Sequence, residues 1–416
     1  MKLYIFLTSL IRGVGGGHIY TLNKIHYLEN NEYKCDYIHA NIDYGDIVIE
    51  ELKKYENRYD THLQQPPYFY NRKIQVSVID NIVRLIGVVD IYDEIIIESQ
   101  TVTCALWGEL LAEKIKARNF IFLLGEFMRT RNSIVADFWR FKLKRKELYG
   151  IGPKSIYHLL GNYPKDDIDC NFYLTASCSN SLKEIKYNRM SDVPNADIII
   201  GSIGRIDKIF LKNVLKDVVS LAKKHREKTF LVLLIGGSNN SSKESELKQL
   251  ISKVDNVKIY ITGLIYPIPV ELVQIADVYL STSGSARISA NLGITTISYD
   301  VHDFKPIGIL GVTTNDVLTR KNGTQSLNTI DLLEDILFKG KYRMKRQPFV
   351  ETVFTYEKHI SAVKACEKDK IYYTAITSAP LDFKEVINKF LCCLLGYNLS
   401  KYIMRKIENV IIRYRN

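Results

Sequence analysis

No two cysteines are spaced as CxxC, no apolar run reaches eighteen residues, and no segment repeats or falls into low complexity. Each absence excludes something. The seven cysteines (Cys35, Cys104, Cys170, Cys178, Cys366 and the adjacent Cys392 and Cys393) are odd in number and scattered. That argues against a disulfide framework or a zinc site and fits a reducing compartment. Without a long apolar run the chain is not expected to span a bilayer. The opening "MKLYIFLTSLI" lacks a small-residue cleavage site and runs into Arg12 and glycines. It therefore reads as a buried first strand rather than a signal peptide, and a cytoplasmic location is expected.

The chain has 416 residues, 46% hydrophobic and 25% charged. That length is too great for one ordinary core and predicts about two globular domains. The formal charge of +11 is unevenly placed: residues 339–416 hold 16 Lys and Arg against 7 Asp and Glu. A second basic stretch, "RTRNSIVADFWRFKLKRKELY" (129–149), interleaves aromatics with cations. Such patches suit anionic partners: pyrophosphates, acidic lipid headgroups or nucleic acid. No nucleic-acid module accompanies them, so nucleic acid is not an expected partner.

Short, continuously apolar segments alternate with helical patterns: "KLYIFLTS", "YKCDYIHANI", "DEIIIES", "FIFLLGE" and "NFYLTAS" are the strands of a first series. A polar crossing, "CSNSLKEIKYNRMSDVPNA", follows, and the alternation resumes with "DIIIGSIG", "TFLVLLIGG", "VKIYITG", "DVYLSTS" and "TTISYD". Strands apolar on both faces and separated by helices predict parallel sheets covered on both sides. The expected fold class is α/β, with two Rossmann-like, doubly wound parallel-sheet domains facing across a cleft. We place the first domain at 1–178, the crossing at 179–196 and the second domain at 197–345. A helical, basic segment at 346–416 is expected to pack back on the first domain. A ligand then belongs at the carboxyl ends of both sheets.

"RGVGGGHIY" places Gly15, Gly16 and Gly17 between the first strand and the first helix. A dinucleotide fingerprint fails, because the third glycine falls on His18 or Tyr20, and no GK[ST] follows to make a P-loop. A strand-to-helix turn rich in glycine still offers backbone N–H groups to an anion or a sugar.

In the second half, "IIIGSIGRIDKIF", "FLVLLIGGS", "VKIYITGLI" and "ADVYLSTSGSA" follow one another in an order that resembles the nucleotide-sugar domain of GT-B fold glycosyltransferases, family 4 in particular. The glycine loop is similar to that family's first-domain loop, and the likeness in order covers about residues 1–305. The resemblance implies Arg205 and Lys208 as a diphosphate clamp, with phosphate received at Ser283, Gly284 and Ser285. It implies nucleotide contacts at Gly236, Gly237, Thr262 and Gly263, and makes Gly15–Gly17 the acceptor or phosphate loop. The sequence departs from the family where "SGSARISANLG" lacks the usual glutamate pair, where Phe210 stands in the usual lysine position, and where no first-domain histidine matches. A catalytic base, if one is needed, is sought in His18, Glu98 or Glu126. Asp300 and Asp303 are donor-sugar candidates, and no metal site is expected from them.

The implied activity is glycosyl transfer, with retention, from a nucleoside diphosphate sugar to a lipid-linked, growing bacterial surface glycan at an anionic membrane face. No permanently bound cofactor is expected. The competing expectations are another nucleotide-sugar or polyol-phosphate enzyme on the same fold, such as an epimerase, and a catalytically degenerate sugar-nucleotide-binding subunit.

Overall fold

The computed structural model describes all residues except 43–44, 125–132, 152–155, 157–158, 161–171, 177, 179, 239–240, 322–323, 343–355, 382 and 416. Two parallel sheets organise the chain. The first is built from β1 (Lys2–Thr8), β2 (Tyr33–His39), β3 (Glu94–Ser99), β4 (Arg118–Leu123) and β5 (Leu148–Gly150), in the order β2-β1-β3-β4-β5. Helices α1 (Gly16–Glu29), α2 (Arg72–Ile86), α3 (Val102–Ile115) and α4 (Ser133–Lys144) accompany it.

The continuous apolar pattern of β1 has the expected cause. Leu3, Ile5 and Leu7 enter one core with α2 and α3, while Tyr4 and Phe6 enter another with Tyr20, Leu22 and Ile25 of α1. A strand buried on both faces contributes roughly 2 kcal/mol for each large apolar side chain removed from water.

After β6 (Leu182–Lys183) the second sheet uses β7 (Ile198–Ile203), β8 (Phe230–Ile235) and β9 (Val257–Ile261). After β10 (Ile268–Pro269) it adds β11 (Val278–Ser281), β12 (Thr295–Tyr299) and β13 (Pro306–Ile309). Its order is β13-β12-β11-β7-β8-β9, and only β13, at the edge, runs antiparallel. Its helices are α5 (Ile209–Lys224), α6 (Ser241–Ile251), α7 (Val270–Gln274), α8 (Gly284–Asn291) and α9 (Thr329–Leu337). β8 repeats the two-sided logic: Phe230, Val232 and Leu234 face one core, and Leu231, Leu233 and Ile235 the other. The crossing segment is stitched to the second sheet's side, where β6 pairs with β10.

Beyond the second sheet the chain returns. In α10 (Glu357–Lys364) and the residues after it, Val363, Cys366 and Ile376 are buried in the first domain's cores. Arg118 donates to the Val363 carbonyl (2.6 Å), and Tyr373 N–H donates to Glu109 (3.0 Å).

Two expectations are corrected. "NFYLTAS" is not a strand among the described residues: Tyr173 makes a single bridge to Gly150, whose own short strand β5 was not foreseen. The basic stretch 129–149 is only partly a surface patch where it is described: Lys144 and Lys146 are exposed, but Lys142 and Arg145 are buried. Phe138 and Trp139 are core residues, and Lys142 is buried between Glu109 and Glu147. Arg145 joins Glu147 and reaches Asp369 of the returning segment (3.0 Å). Cations and aromatics alternate there because one helix presents both a core face and an internal ion cluster.

Two buried histidines are held neutral. His39 Nε2 donates to the carbonyls of Tyr55 and Glu56 (3.2 and 3.1 Å), while its Nδ1 accepts from Asn41 N–H. His359 Nε2 donates to the Thr175 carbonyl (2.8 Å), and its Nδ1 faces Tyr20 Oη and Lys24. Burial pushes His39 down to about 4, and burial together with the Lys24 charge pushes His359 down to about 3. The unfolded chain, with ordinary histidines near 6.5, then binds more protons than the native one, so stability falls as pH falls below about 6.5. Between pH 7.5 and pH 5 each of the two should cost about 2 kcal/mol. The midpoint of thermal unfolding should drop accordingly, and His359→Gln should flatten the drop. A midpoint independent of pH over that range would refute the assignment.

Candidate active site

Both sheets place a topological switch point at the same cleft. In the first, strand order reverses at β1, whose carboxyl end leads into the glycine loop. In the second it reverses between β7 and β11, whose carboxyl ends lead to Arg205 and to Ser283. Helices leave such a point on opposite faces and open a crevice there. A cavity of about 200 Å³ occupies it. One wall carries Val14, Gly15, Gly16, Ile19, Cys178 and Asn180. The other carries Gly204, Arg205, Lys208, Gly236, Leu264, Ile265 and Ser283–Ser285. Pockets that enclose whole small ligands run to roughly 300–1,000 Å³, so this one takes part of a ligand, such as phosphates and an adjoining ring.

The glycines have identifiable reasons. A Cβ on Gly16 would lie 3.1 Å from Cys178 Cβ, and one on Gly17 would lie 3.3 Å from Leu124 Cδ1. Two of the three glycines thus let α1 start against the domain's own atoms, while Gly15 and Gly16 also line the cavity. In the second domain, a Cβ on Gly236 (φ +150°) would lie 2.0 Å from the Gly204 carbonyl oxygen. These two loops touch backbone to backbone, which brings the β7 and β8 ends together under the cavity. Gly236 N–H donates to Thr262 Oγ1 (3.0 Å), and that hydroxyl donates to the Gly263 carbonyl (2.8 Å). Thr262 and Gly263 therefore brace the loop behind Gly236. They do not line the cavity, and neither does Gly237, whose backbone packs on Leu264.

Arg205 is exposed, with Asp207 3.7 Å away. Lys208 Nζ donates to Thr282 Oγ1 (3.4 Å). On the same wall α8 begins after its N-cap Ser283, whose backbone (φ +55°, ψ −144°) lies in a region that side chains avoid. Its hydroxyl makes no cap hydrogen bond, whereas Ser285 Oγ donates back to the Thr282 carbonyl (2.9 Å). The Ser283 N–H donates to the Val317 carbonyl (2.8 Å), while Gly284 and Ser285 at the helix start line the cavity on the same wall as the two cations. This is an arrangement suited to an anion.

The acid and base candidates fare differently. Glu98 is fully buried, ion-paired with Lys24, and accepts from Tyr4 Oη (2.6 Å) and Tyr20 Oη (3.0 Å). Burial alone would raise its carboxyl, but the Lys24 charge brings it below the usual range. It lies beneath α1, not in the cleft, and the expectation of a catalytic Glu98 is withdrawn. His18 stands in the first turn of α1. Burial pushes it down to about 4, and its Nε2 has no hydrogen-bond partner among the described residues. It is not one of the cavity's lining residues. Glu126 lies outside the described residues.

Asp300 and Asp303 do not reach the cavity either. Asp300 accepts from His302 N–H and Arg320 N–H (both 2.8 Å), and Asp303 pairs with the Arg320 side chain. They fasten the loop between β12 and β13, so the donor-sugar expectation for them is dropped. Sequence reasoning missed Cys178 and Asn180. Both lie at the start of the crossing, and nothing in their residue types marks them out.

No family model matches the chain, and no curated protein matches its sequence. Solved structures do match. A glycosyltransferase from Rickettsia africae aligns over 88% of this chain and 94% of its own at 16% identity, with a TM-score of 0.57. Anabaena HepE, in complex with UDP and glucose, aligns over 90% and 97% at 14% identity, with a TM-score of 0.53. A Neisseria meningitidis UDP-GlcNAc 2-epimerase is more distant, at 14% identity over 88% and 99%, with a TM-score of 0.46. The chain has the GT-B fold: two parallel-sheet domains facing across a cleft.

Gly236→Ala should cost the second domain at least about 3 kcal/mol, because a backbone oxygen occupies the Cβ position; Gly263→Ala meets only its own φ of +77° and should cost about 1 kcal/mol. Urea unfolding distinguishes the two. Glu98→Ala, which strands a buried ammonium, should lose about 3–5 kcal/mol. Equal midpoints for Glu98→Ala and the parent would place Glu98 outside the core ion pair.

Proposed function

We propose that the chain is a glycosyltransferase that moves a sugar from a nucleoside diphosphate sugar to a hydroxyl of a lipid-linked, growing surface glycan. The observation that carries this reading is the asymmetry of the cavity. Two cations and a helix start form one wall, a glycine-rich loop forms the other, and no carboxylate or histidine is among the described lining residues. Arg205, Lys208 and the N–H groups of Gly284 and Ser285 are assigned to the diphosphate, whose negative charge grows as the glycosidic bond breaks; the Ser283 N–H is already given to the Val317 carbonyl (2.8 Å). Fixed cations and N–H dipoles stabilise that charge more than they stabilise the ground state. Gly15 and Gly16 let the acceptor, or the donor's sugar ring, approach the backbone closely.

The lack of acid or base on the described lining also bears on stereochemistry. An inverting transfer needs a base within hydrogen-bond reach of the acceptor hydroxyl. His18, held near 4 and off the lining, is a weak base at neutral pH. A retaining, front-face displacement asks less of the protein. The acceptor oxygen bonds to the anomeric carbon as the bond to the departing phosphate breaks, and that phosphate oxygen takes the acceptor's proton. We propose retention on this ground, with Glu126, which lies outside the described residues, as the base candidate against which it is tested. The same lining supports one second reading, a subunit that binds a sugar nucleotide without turning it over.

Arg205→Ala with Lys208→Ala should lower affinity for UDP, the nucleotide held by Anabaena HepE, by at least about tenfold while leaving the unfolding midpoint within a degree or two. GDP, CDP and TDP sugars belong in the same thermal-shift screen. A parent protein stabilised by none of these nucleotides sinks the donor-site assignment. Binding with neither transfer nor hydrolysis of the sugar establishes the second reading instead.

A further inference from the structure

Asn180 stands on the first-domain wall of the cavity, and its side-chain carbonyl is unaccounted for. Its Oδ1 is shut off from solvent and accepts no hydrogen bond from any described residue. Buried amide oxygens almost always have a donor, because leaving one without costs about 1–3 kcal/mol. Among the described residues, only Asn180 combines such an atom with a place on the cavity's lining.

Neighbours on both sides fix where the amide sits. Two residues earlier, Cys178 packs on the glycine loop: a Cβ added to Gly16 would lie 3.1 Å from Cys178 Cβ. One residue later, the Ser181 carbonyl accepts from Ile268 N–H (2.8 Å), and Ser181 Oγ lies 3.2 Å from Tyr266 Oη. Leu182 then pairs with Ile268 where β6 meets β10. The backbone is thus tied to the first domain before Asn180 and to the second domain after it. A polar group held in place in advance costs an arriving ligand little ordering entropy.

Chemistry narrows the group that Asn180 would meet. Rotation about χ2 exchanges Oδ1 and Nδ2 with little change in the amide's shape, so the carbonyl can turn to the cavity. Only a group that carries a proton, such as a hydroxyl or the N–H of an acylamino substituent, can then satisfy it. A deprotonated phosphate oxygen only accepts. Arg205, Lys208 and the helix start, which face the phosphates in the reading above, lie on the other wall. Asn180 shares its own wall with Gly15 and Gly16, where a sugar ring can approach the backbone.

We propose that Asn180 recognises the transferred sugar, its amide oxygen accepting from a hydroxyl or acylamino N–H of that ring. The assignment rests on the donor-site reading and adds to it the residue that tells a sugar nucleotide from the bare nucleotide.

The test is calorimetric titration of the full chain and of Asn180→Ala with UDP, UDP-glucose and UDP-GlcNAc. In the variant, affinity for the tighter of the two sugar nucleotides should fall about tenfold, while affinity for UDP stays within about twofold. The unliganded protein supplies a second readout, which a structural asparagine would move in the opposite direction. Alanine there removes a stranded carbonyl and no hydrogen bond to it, so the unfolding midpoint without ligand should equal or exceed the parent's. Asn180→Leu, close to the amide in shape, should repeat both results. An equal loss for UDP and its sugars overturns the assignment, in favour of a contact to the nucleotide. A lowered unliganded midpoint in both variants overturns it in favour of a structural role. A parent that binds none of the three ends the UDP site and this assignment together. A parent that binds them while both variants bind equally well ends this assignment alone, as an amide served only by water would.

Discussion

The buried pair of Lys24 and Glu98 is the constraint on which the first domain's half of the cleft depends. Glu98 sits in the central part of the sheet, in register with Phe6 on one neighbouring strand and Phe120 on the other. A carboxylate in that row is tolerable only because α1 brings an ammonium and a tyrosine hydroxyl down onto it, and β1 adds a second hydroxyl from Tyr4. Burial pushes the ammonium down, and the carboxylate answers it. Breaking such a pair is far more costly than never having built it. Its consequence is positional: α1 cannot slide or rotate without stranding a charge. The glycine loop that begins α1 is therefore held at one height above the sheet.

The same cluster explains why the chain returns. His359, from the segment after the second domain, closes the cluster by facing Tyr20 and Lys24 through Nδ1 and reaching Thr175 through Nε2. Thr175 lies shortly before Cys178, which touches Gly16. One returning histidine thereby joins the helix behind the glycine loop to the segment that leads into the crossing. A second tie, through Arg145 and Asp369, fastens α4 to the returning chain. The two-domain arrangement is thus buckled at its far end as well as at its crossing.

Much of this was legible in the sequence, and what was not has a common cause. Strands apolar on both faces announced the parallel sheets, because only double coverage tolerates such runs. Arg205, Lys208 and the serine turn could be placed at strand ends, and strand ends of switch-point strands meet by topology. Hidden was the direction of side chains within those ends. Glu98 and Arg205 both sit where strands finish, yet strand parity turns one under a helix while the loop geometry leaves the other in solvent. Asp300 and Asp303 are the same case, since Arg320, which engages both, lies seventeen residues beyond Asp303. In 129–149, composition signalled a basic surface because it cannot distinguish a cation facing water from one facing Glu109 and Glu147. One available signal went unused: Tyr20 and Lys24, four residues apart among Ile19, Leu22, Ile25 and Leu28, place a lysine on a core-facing stripe that requires an acid opposite.

The site that results divides its tasks between rigidity and charge. The second domain joins the loops after β7 and β8 by a backbone contact at Gly236 and Gly204 that leaves no room for a side chain, so the backbone beneath the proposed anion-receiving wall is set before any ligand binds. The first domain fixes its wall by buried ionisation. Neither wall carries an acid or a base among its described lining residues, and under the proposed retaining transfer the departing phosphate takes the acceptor's proton. For a diphosphate donor that is a coherent division. The group that accumulates negative charge as it departs is also the strongest base in the cavity at that moment. Cations placed beside it lower the barrier to departure but also lower its basicity. The proposed clamp, one exposed arginine and one lysine that donates to a threonine hydroxyl, is compatible with both demands.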